Sequence, residues 1–495
     1  MKMKKFILPL LLATTLSCHF LDEKPESLIT SANYYKTESD AVAATNALYD
    51  YMTVGTTYLW DPSFGGIFFN DYWVFADILS DNINENLAST DYRNLSEFKM
   101  TSENTRIQFY WQDLYKTINA ANIVIQKVPL ISMNEMKRDH LVSEARFIRA
   151  LMYFEAVRYF GDAPLLTSPV EDLKDAYAGR SSEADIYGTI ITDLEYAETH
   201  LSDSYRVGKG RPTPFAAKSL LAKVYLEMGE YQKSVDYAAD VINNGPYYLW
   251  PDYADIFKIA NTNSGEIIFA ANFSGTLSEG FKPNQYHVRL LPPIIEKDGE
   301  GPENALGWET PTQDLYNSFD PQDQRRAVTF LTSFTYSDGS TINFDPYIGK
   351  FWDQEAEPRG NNTDSDVIYL RYADILLIYA EALNELNNGP TAAAYDAINQ
   401  VRQRARFNGT IEQNILPDLS GLDYQGFKDA LLRERRWEFV MEGQRFHDLV
   451  RFGKLVEKVT ASGKPNVTPK DYHKHLPIPQ RERDLNPNLT QNTGY

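Results

Sequence analysis

Two pairs of helix-forming segments, each joined by a short turn, constrain the fold of this chain more than any other feature. The first pair runs from Pro214 to Gly229 and from Tyr231 to Asn243, and the second from Arg371 to Leu386 and from Thr391 to Arg406. In the first pair, apolar and small residues recur at the spacing that lets two helices pack together and stack on a neighbouring pair. The sequence therefore predicts a scaffold of stacked, tetratricopeptide-like helix pairs.

Other segments extend the helical pattern on both sides of these pairs. Asp40 to Met52, Phe109 to Val128 and Leu141 to Phe160 each have the periodicity of a helix. The third is apolar on nearly every side, which predicts a helix that is buried along most of its surface. Tyr424 to Phe452 is expected to be the last long helix, followed by an extended tail rich in proline and asparagine.

Two stretches of different composition interrupt the helices, around residues 54–100 and 251–350. Both are rich in glycine, proline and aromatic residues, and the second contains a short strand-like run from Ile267 to Ala271. Long ordered loops of this kind usually carry function. We therefore expect a mainly α fold, with a tetratricopeptide-like helical-pair scaffold, long irregular ligand-binding insertions and minor β structure. Residues 32–495 are predicted to form a single body.

The N-terminus predicts export and attachment to a membrane. Three lysines within the first five residues precede an apolar run from Phe6 to Leu12, which is too short to span a bilayer. Small residues then lead to Cys18, the only cysteine of the chain. This pattern resembles a bacterial lipobox, which implies a signal peptide over residues 1–17, lipid on the Cys18 sulfur and a polar tether over residues 18–31. The alternative is an ordinary signal peptide followed by a free thiol.

Charge and residue counts exclude several classes of function. The net charge of −20 repels phosphate backbones, so nucleic acid is not an expected partner. One cysteine rules out a cysteine-rich zinc site, and the seven histidines lack the spacing of a zinc-protease helix. We therefore predict no metal and no cofactor.

Five groups of segments, in order along the chain, resemble one known family. They are Ala145–Ala150 with Tyr159–Leu165, Arg211–Thr213, Leu370–Ala382, Glu434–Phe439 with Glu442–Arg451, and Leu476–Pro479 with Asn486–Tyr495. Together with the lipobox-like cysteine, they resemble the SusD/RagB family of outer-membrane nutrient-binding lipoproteins. The resemblance covers the mature chain nearly from end to end.

This resemblance implies a lipid-anchored protein of the outer membrane that faces the cell exterior. Its partner would be a SusC-like TonB-dependent transporter, and its ligand would most often be an oligosaccharide. The predicted function is binding and delivery without catalysis. Three alternatives stay open: the same role with peptide ligands, a glycoside hydrolase with two carboxylates at a cleft, and a scaffold that binds only protein.

The insertions supply candidate contacts for a sugar, which offers apolar C–H faces to flat rings and hydroxyls to amides. The candidate rings are Trp60, Phe64 and Tyr92 in the first insertion and Phe281, Tyr286 and Trp308 in the second. The candidate amides are Asn82 and Asn284, with Asn84 and Gln285 close by in the sequence. The run that contains Phe68, Phe69, Tyr72 and Trp73 is expected to belong to the core instead.

A charged motif on the last predicted helix is interpreted as structural, and we predict no catalytic residue. Glu434, Glu438 and Glu442 follow one another at intervals of four residues. Arg435 is three residues from Glu438 and Arg445 three from Glu442, so we expect an ion pair in each case. Arg371, in an otherwise apolar stretch, is expected to be a paired charge as well.

Overall fold

The fold is described by a computed structural model of the 495-residue chain. The described residues are 34–54, 66–87, 89–203, 210–274, 284, 286–297, 299–302, 304–352 and 363–495. The predicted signal peptide, Cys18 and the tether lie outside them. Trp60, Phe64, Phe281 and Gln285 also lie outside the described residues.

Helices dominate the described part of the chain. They are Glu38–Val54 (α1), Tyr72–Ile78 (α2), Thr90–Ser96 (α3), Thr105–Lys127 (α4), Glu135–Phe160 (α5), Glu183–His200 (α6), Pro214–Glu227 (α7), Tyr231–Asn244 (α8), Tyr286–Leu290 (α9), Gln313–Ser318 (α10), Gln324–Thr329 (α11), Tyr372–Asn387 (α12), Ala392–Ala405 (α13), Tyr424–Glu438 (α14), Arg445–Arg451 (α15), Leu455–Ala461 (α16) and Gln480–Leu485 (α17). A single turn of π-helix, Ile67–Asp71, leads into α2. The mainly α fold predicted from the sequence is confirmed.

The longer helices pack in sequence order as a stack of neighbours. α4 packs on α5, α5 on α6, α6 on α7 and α7 on α8. α8 then packs on α12, which pairs with α13. The second predicted helix pair therefore continues the stack directly, although more than one hundred residues separate α8 from α12. The insertion between α8 and α12 therefore begins and ends at neighbouring helices of the scaffold.

Local signals in the sequence determine where these paired helices begin and end. The side chain of Thr213 accepts a hydrogen bond from the Ala216 N–H, and Pro214 occupies the first turn of α7. Thr391 caps α13 in the same way through the Ala394 N–H. Asn388 ends α12 in the left-handed conformation, with φ of 54°. These boundaries lie within one or two residues of the predicted ones.

The prediction of one long helix from Tyr424 to Phe452 is wrong. α14 ends at Glu438, and α15 begins at Arg445 after a turn in which Gly443 has φ of +72°. A Cβ at Gly443 would lie 2.4 Å from the ring of Tyr72, so the chain reverses direction against a buried aromatic side chain. The tail that follows also contains a helix, α17, where extended structure was expected.

Three short antiparallel strand pairs complete the described fold. The strands are Ile83–Glu85 (β1), Ile267–Ala271 (β2), Glu309–Pro311 (β3), Phe330–Thr335 (β4), Thr341–Ile348 (β5) and Val367–Arg371 (β6), paired β1 with β3, β2 with β6 and β4 with β5. The β1–β3 pair joins the first insertion to the second, with Ile83 opposite Pro311 and Glu85 opposite Glu309. It therefore brings together parts of the chain that are distant in sequence.

One large apolar core connects the scaffold and the insertions. It extends from Ala41 in α1 to Leu489 after α17 and includes most of α5, as the pattern of that helix predicted. Phe68, Phe69 and Trp73 of the first insertion are buried in it, so their assignment to the core is confirmed. No helix of the described residues is both long and apolar enough to cross a membrane.

A cluster of buried charges connects the last helices to the rest of the scaffold. Glu438 binds Arg325 at 3.0 Å and Arg371 at 2.6 Å, and it also binds Arg404. Burial alone would raise the pKa of Glu438, but Arg404, Arg371 and Arg325 hold this pKa well below its usual range. Glu442 binds Arg371 and Lys350, each at 2.7 Å. The interpretation of this motif as structural agrees with its complete burial.

The two ion pairs predicted within the motif do not form. Arg435 binds Asp374 and Asp448, at 2.8 and 2.9 Å. Arg445 binds Asp81 at 2.7 Å. Glu438 already binds three other arginines, so Arg435 of the same helix binds Asp374 and Asp448 instead. Glu442 lies in the turn between α14 and α15, where helical spacing does not bring it to Arg445.

Candidate functional site

Trp308 is the candidate ring that stands out in the described structure, because its residue is only partly buried. It comes directly before β3, and its carbonyl oxygen accepts a 2.7 Å hydrogen bond from the N–H of Asn86, which follows β1. The β1–β3 pair therefore fixes the backbone that carries the indole ring.

Arg289 supports the Trp308 ring from inside the protein. Its guanidinium carbon lies 5.1 Å from the centroid of the Trp308 ring and 4.7 Å from that of Tyr92. The Arg289 side chain is fully buried and donates a 2.8 Å hydrogen bond from Nε to Glu309. A cation over a ring face is attracted by the ring quadrupole, so the buried arginine restricts the position of the indole.

Gly307 allows the chain to turn just before Trp308. Its φ of +57° belongs to the left-handed region that favours glycine. A Cβ at this position would lie 2.5 Å from a ring carbon of Tyr347 and 3.2 Å from the carbonyl oxygen of Leu291. The turn that presents Trp308 therefore has no space for a side chain.

Two carboxyl groups lie beneath the site, on facing positions of β1 and β3. The side chains of Glu85 and Glu309 are both 0% exposed. Burial and the facing Glu309 raise the pKa of Glu85 well above its usual range, whereas Arg289 acts in the opposite direction. Burial likewise raises the pKa of Glu309. Arg289 acts to lower the pKa of both carboxyl groups, but the effect of burial is larger.

This buried pair does not have the geometry of a hydrolase. Glycoside hydrolases place their two carboxyl groups on either side of a bound glycosidic bond. Glu85 and Glu309 instead contact each other and Arg289, and neither side chain reaches the surface. Their role at this site is to hold the arginine that supports Trp308.

A polar cavity of about 380 Å³ lies beside the β1–β3 pair. Asn84, Asn86, Arg93 and Gln313 contribute to its wall. The buried Oδ1 atom of Asn84 has no hydrogen-bond partner among the described residues, whereas Asn86, Arg93 and Gln313 are exposed. Trp308 does not line the cavity itself, but its backbone is bound by Asn86, which does. A ring close to a wall of amide and guanidinium groups suits a ligand with apolar faces and hydroxyl groups.

The other two candidate rings within the described residues are inside the protein. Tyr92 is 0% exposed, and its hydroxyl donates a 3.1 Å hydrogen bond to Asp71. Tyr286 is 2% exposed and stacks on Phe351 with 4.1 Å between ring centroids. These positions do not agree with direct ligand contact. Tyr92 acts on the site only indirectly, through Arg289.

The candidate amides Asn82 and Asn284 are also buried and already hydrogen-bonded. The Oδ1 atom of Asn82 accepts a 2.8 Å hydrogen bond from Nε of Arg436. Asn284 donates from its amide to the carbonyl oxygen of Ser365 and accepts a 3.0 Å hydrogen bond from the N–H of Tyr286. Both side chains stabilise the loops in which they lie, and neither borders the cavity.

Asn86, Arg93 and Gln313 are members of the site that the sequence did not identify. Asn86 follows Asn84 by two residues, so period-two spacing along an extended segment could have suggested it. Arg93 lies in α3 and Gln313 at the start of α10. They meet only because β1 pairs with β3, and nothing in the local sequence predicts that pairing. In the described part of the chain, no group of three or more acidic, histidine or cysteine side chains could hold a metal ion.

Comparison with known proteins identifies the family. The chain matches the profile of the SusD family over residues 335–495, and over residues 19–226 it matches a profile described as starch-binding and associating with the outer membrane. It is 31% identical to the SusD-like protein P25 of Formosa agariphila, over 98% of each chain. The chain belongs to the SusD family.

Two further members of the family have named ligands. The starch-binding protein SusD of Bacteroides thetaiotaomicron is 22% identical, over 82% of this chain and 81% of that protein. A solved structure described as a laminarin-binding SusD-like protein superposes with a TM-score of 0.74 at 25% identity, over 93% of this chain and all of that one. The resemblance inferred from the sequence motifs is thus confirmed, and neither matching profile describes an enzyme.

Proposed function

We propose that this SusD-family protein binds an oligosaccharide at Trp308 and the nearby polar cavity, and delivers it to a SusC-like TonB-dependent transporter. The observation that carries the proposal is the partly exposed residue Trp308, whose ring contacts buried Arg289 and whose backbone is bound by Asn86 of the cavity wall. Binding is not followed by cleavage. No cofactor or metal takes part.

The energetics of one ring fit a binding protein that holds its ligand reversibly. Covering about 80 Å² of a sugar face contributes about 2 kcal/mol at about 25 cal/mol per Å². Hydrogen bonds from amides at the rim add specificity for the arrangement of hydroxyl groups. Modest affinity is sufficient for a protein that is held beside its transporter, because tethering raises the local concentration.

The proposed location follows from the N-terminus and the family. A signal peptide over residues 1–17 and lipid on Cys18 would anchor the protein in the outer membrane. The tether over residues 18–31 would leave the body free to move at the cell surface, over the mouth of the transporter. The ligand would favour a closed arrangement of body and transporter only through its higher affinity for that arrangement.

A binding screen with product analysis tests this function. The full-length chain, purified in detergent, is applied to an array of neutral and acidic oligosaccharides and to a peptide library. The proposal predicts saturable binding to at least one glycan and no shortening of that glycan after prolonged incubation. Binding to peptides alone would mean that the ligand is a peptide and not an oligosaccharide. Release of shorter sugars would mean that the protein is a hydrolase and not a binding protein.

A further inference from the structure

A second surface of the protein combines aromatic rings with exposed amides, well separated in sequence from Trp308. It is a groove of about 390 Å³ between the segment that follows α8 and the C-terminal end of α13. Tyr248 and Trp250 line one side and Gln400, Gln403 and Phe407 another. We call it the Tyr248 groove, and none of its residues borders the cavity beside Trp308.

The Tyr248 groove presents one exposed ring, Tyr248, beside the partly buried ring of Trp250. Tyr248 is 49% exposed, although it is a large aromatic residue. Its ring centroid lies 5.3 Å from that of Trp250, with 65° between the ring planes. Two rings so inclined form a corner, which offers apolar contact to a ligand from two sides.

The backbone at the base of the groove is attached to the buried charge cluster. The backbone N–H of Trp250 donates a 3.2 Å hydrogen bond to Glu266. Glu266 is fully buried and also binds Arg371 at 2.8 Å and Arg404 at 3.1 Å. The segment that carries Tyr248 and Trp250 is therefore anchored to the scaffold beneath it.

The polar groups of the groove suit an uncharged ligand. Gln400 and Gln403 are exposed near the end of α13, and their amides can both donate to and accept from hydroxyl groups. Among the described residues that line the groove, Arg404 is the charged one, and it already binds Glu266 and Glu438. These residues offer no unpaired cation to a carboxylate, sulfate or phosphate, whereas they offer rings and amides to a neutral sugar.

We infer that the Tyr248 groove is a second binding site for neutral saccharides, which holds a further part of a long glycan while Trp308 binds another part. This inference rests on the proposed function for the kind of ligand but not for the position of the site. The volume of the groove lies within the roughly 300–1,000 Å³ of small-ligand sites. Two contacts on one chain of sugars would raise the avidity for polysaccharides above that for short oligosaccharides.

The test compares five forms of the full-length chain in detergent: wild type, Tyr248→Ala, Gln403→Ala, Trp308→Ala and the control Tyr424→Ala. The probes are laminarin, soluble starch, mannan and xylan, each with the matching hexasaccharide, in titrations that yield affinities. Tyr424→Ala serves as the aromatic control, because Tyr424 belongs to neither set of wall residues.

We expect Tyr248→Ala to weaken polysaccharide binding by about fivefold or more, with Gln403→Ala in the same direction. In Tyr248→Ala and Gln403→Ala, the affinity for the hexasaccharide, which is expected to bind at Trp308, should stay within about twofold of the wild-type value.

The possible results separate this inference from the proposed function. Polysaccharide binding that is unchanged in both Tyr248→Ala and Gln403→Ala but lost in Trp308→Ala overturns the second site and leaves the proposed function in place. Binding that is lost in Tyr248→Ala and unchanged in Trp308→Ala supports the groove and removes Trp308 from the site. If the wild type binds none of the four polysaccharides, the groove is not a neutral-saccharide site. A melting temperature within about 2 °C of the wild type establishes that a variant is folded.

Discussion

Gly307 determines how the Trp308 ring is presented, and changing it tests the geometry of the site. Gly307→Ala places a Cβ in the left-handed region and against Tyr347 and Leu291. We expect a loss of about 1–2 kcal/mol in the free energy of unfolding and a weaker affinity for the ligand, because the turn must move. Chemical denaturation and a ligand titration measure the two effects.

Gly339→Ala is a matched control for this substitution. Gly339 has φ of +82°, but no atom lies within 4 Å of a Cβ built there. The control should show a comparable cost of backbone strain with full affinity for the ligand. Equal affinity in both variants would mean that the turn at Gly307 does not position Trp308.

His447 gives a prediction about pH. Burial and the nearby charges of Arg158, Lys223 and Arg451 hold its pKa well below its usual range. The unfolded chain therefore binds a proton near pH 6.5 that the folded protein rejects, so this residue makes stability fall as the pH decreases below about 6.5. In His447→Gln the dependence of stability on pH should be smaller by up to about 1.4 kcal/mol per pH unit between pH 6 and 5. Denaturation curves of the two proteins across this range check it, and parallel pH dependences would contradict it.

At the residue scale, the sequence predicted candidate rings without showing which of them reach the surface. Trp308 is partly exposed and is the proposed ligand contact. Tyr92 and Tyr286 belong to the same insertions, yet they are buried, because α3 and α9 turn their rings inward. Packing between distant segments determines whether an aromatic ring faces a ligand or the core. The local sequence around the ring is therefore the same in both cases.

At the scale of elements, Glu438 connects α14 to three other parts of the chain. Glu438→Gln leaves Arg325, Arg371 and Arg404 without their shared negative charge. Removal of one partner from a buried ion cluster typically costs about 3–5 kcal/mol, so we expect a loss of this size in chemical denaturation.

Glu457→Gln tests whether burial is the cause of that loss. Glu457 is exposed and pairs with Lys454 on the surface, at 2.6 Å. Exposed pairs contribute little to stability, so this variant should unfold almost like the wild type. Similar losses in the two variants would mean that the cluster around Glu438 is not the main support of α14.

The helical scaffold could be predicted from sequence because its signals are local. Caps such as Thr213 and Thr391 and the periodicity of apolar residues act within one helix. The break between α14 and α15 was not predicted, because the apolar periodicity continues through Gly443, where the chain adopts a left-handed turn that packs against the distant ring of Tyr72. The partners of Arg435 and Arg445 lie on other elements, so helical spacing does not predict them.

At the scale of the whole molecule, Cys18 is proposed to hold the protein in the outer membrane. Each buried methylene of an acyl chain contributes about 0.8 kcal/mol, so several chains would make attachment essentially permanent. Cys18→Ser should abolish incorporation of labelled palmitate and move the protein out of the membrane fraction. A Cys18→Ser protein that stays with the membranes would contradict lipid anchoring at this residue.

The account depends most on the binding of a glycan at Trp308, and one titration tests it directly. The glycan identified by the array is titrated into the wild-type chain and into Trp308→Ala, with Tyr424→Ala as the control. We predict an affinity about tenfold weaker or worse in Trp308→Ala, as expected for the loss of about 1.4 kcal/mol or more. Its melting temperature should stay within about 2 °C of the wild type. Equal affinity in Trp308→Ala and the wild type would contradict the account.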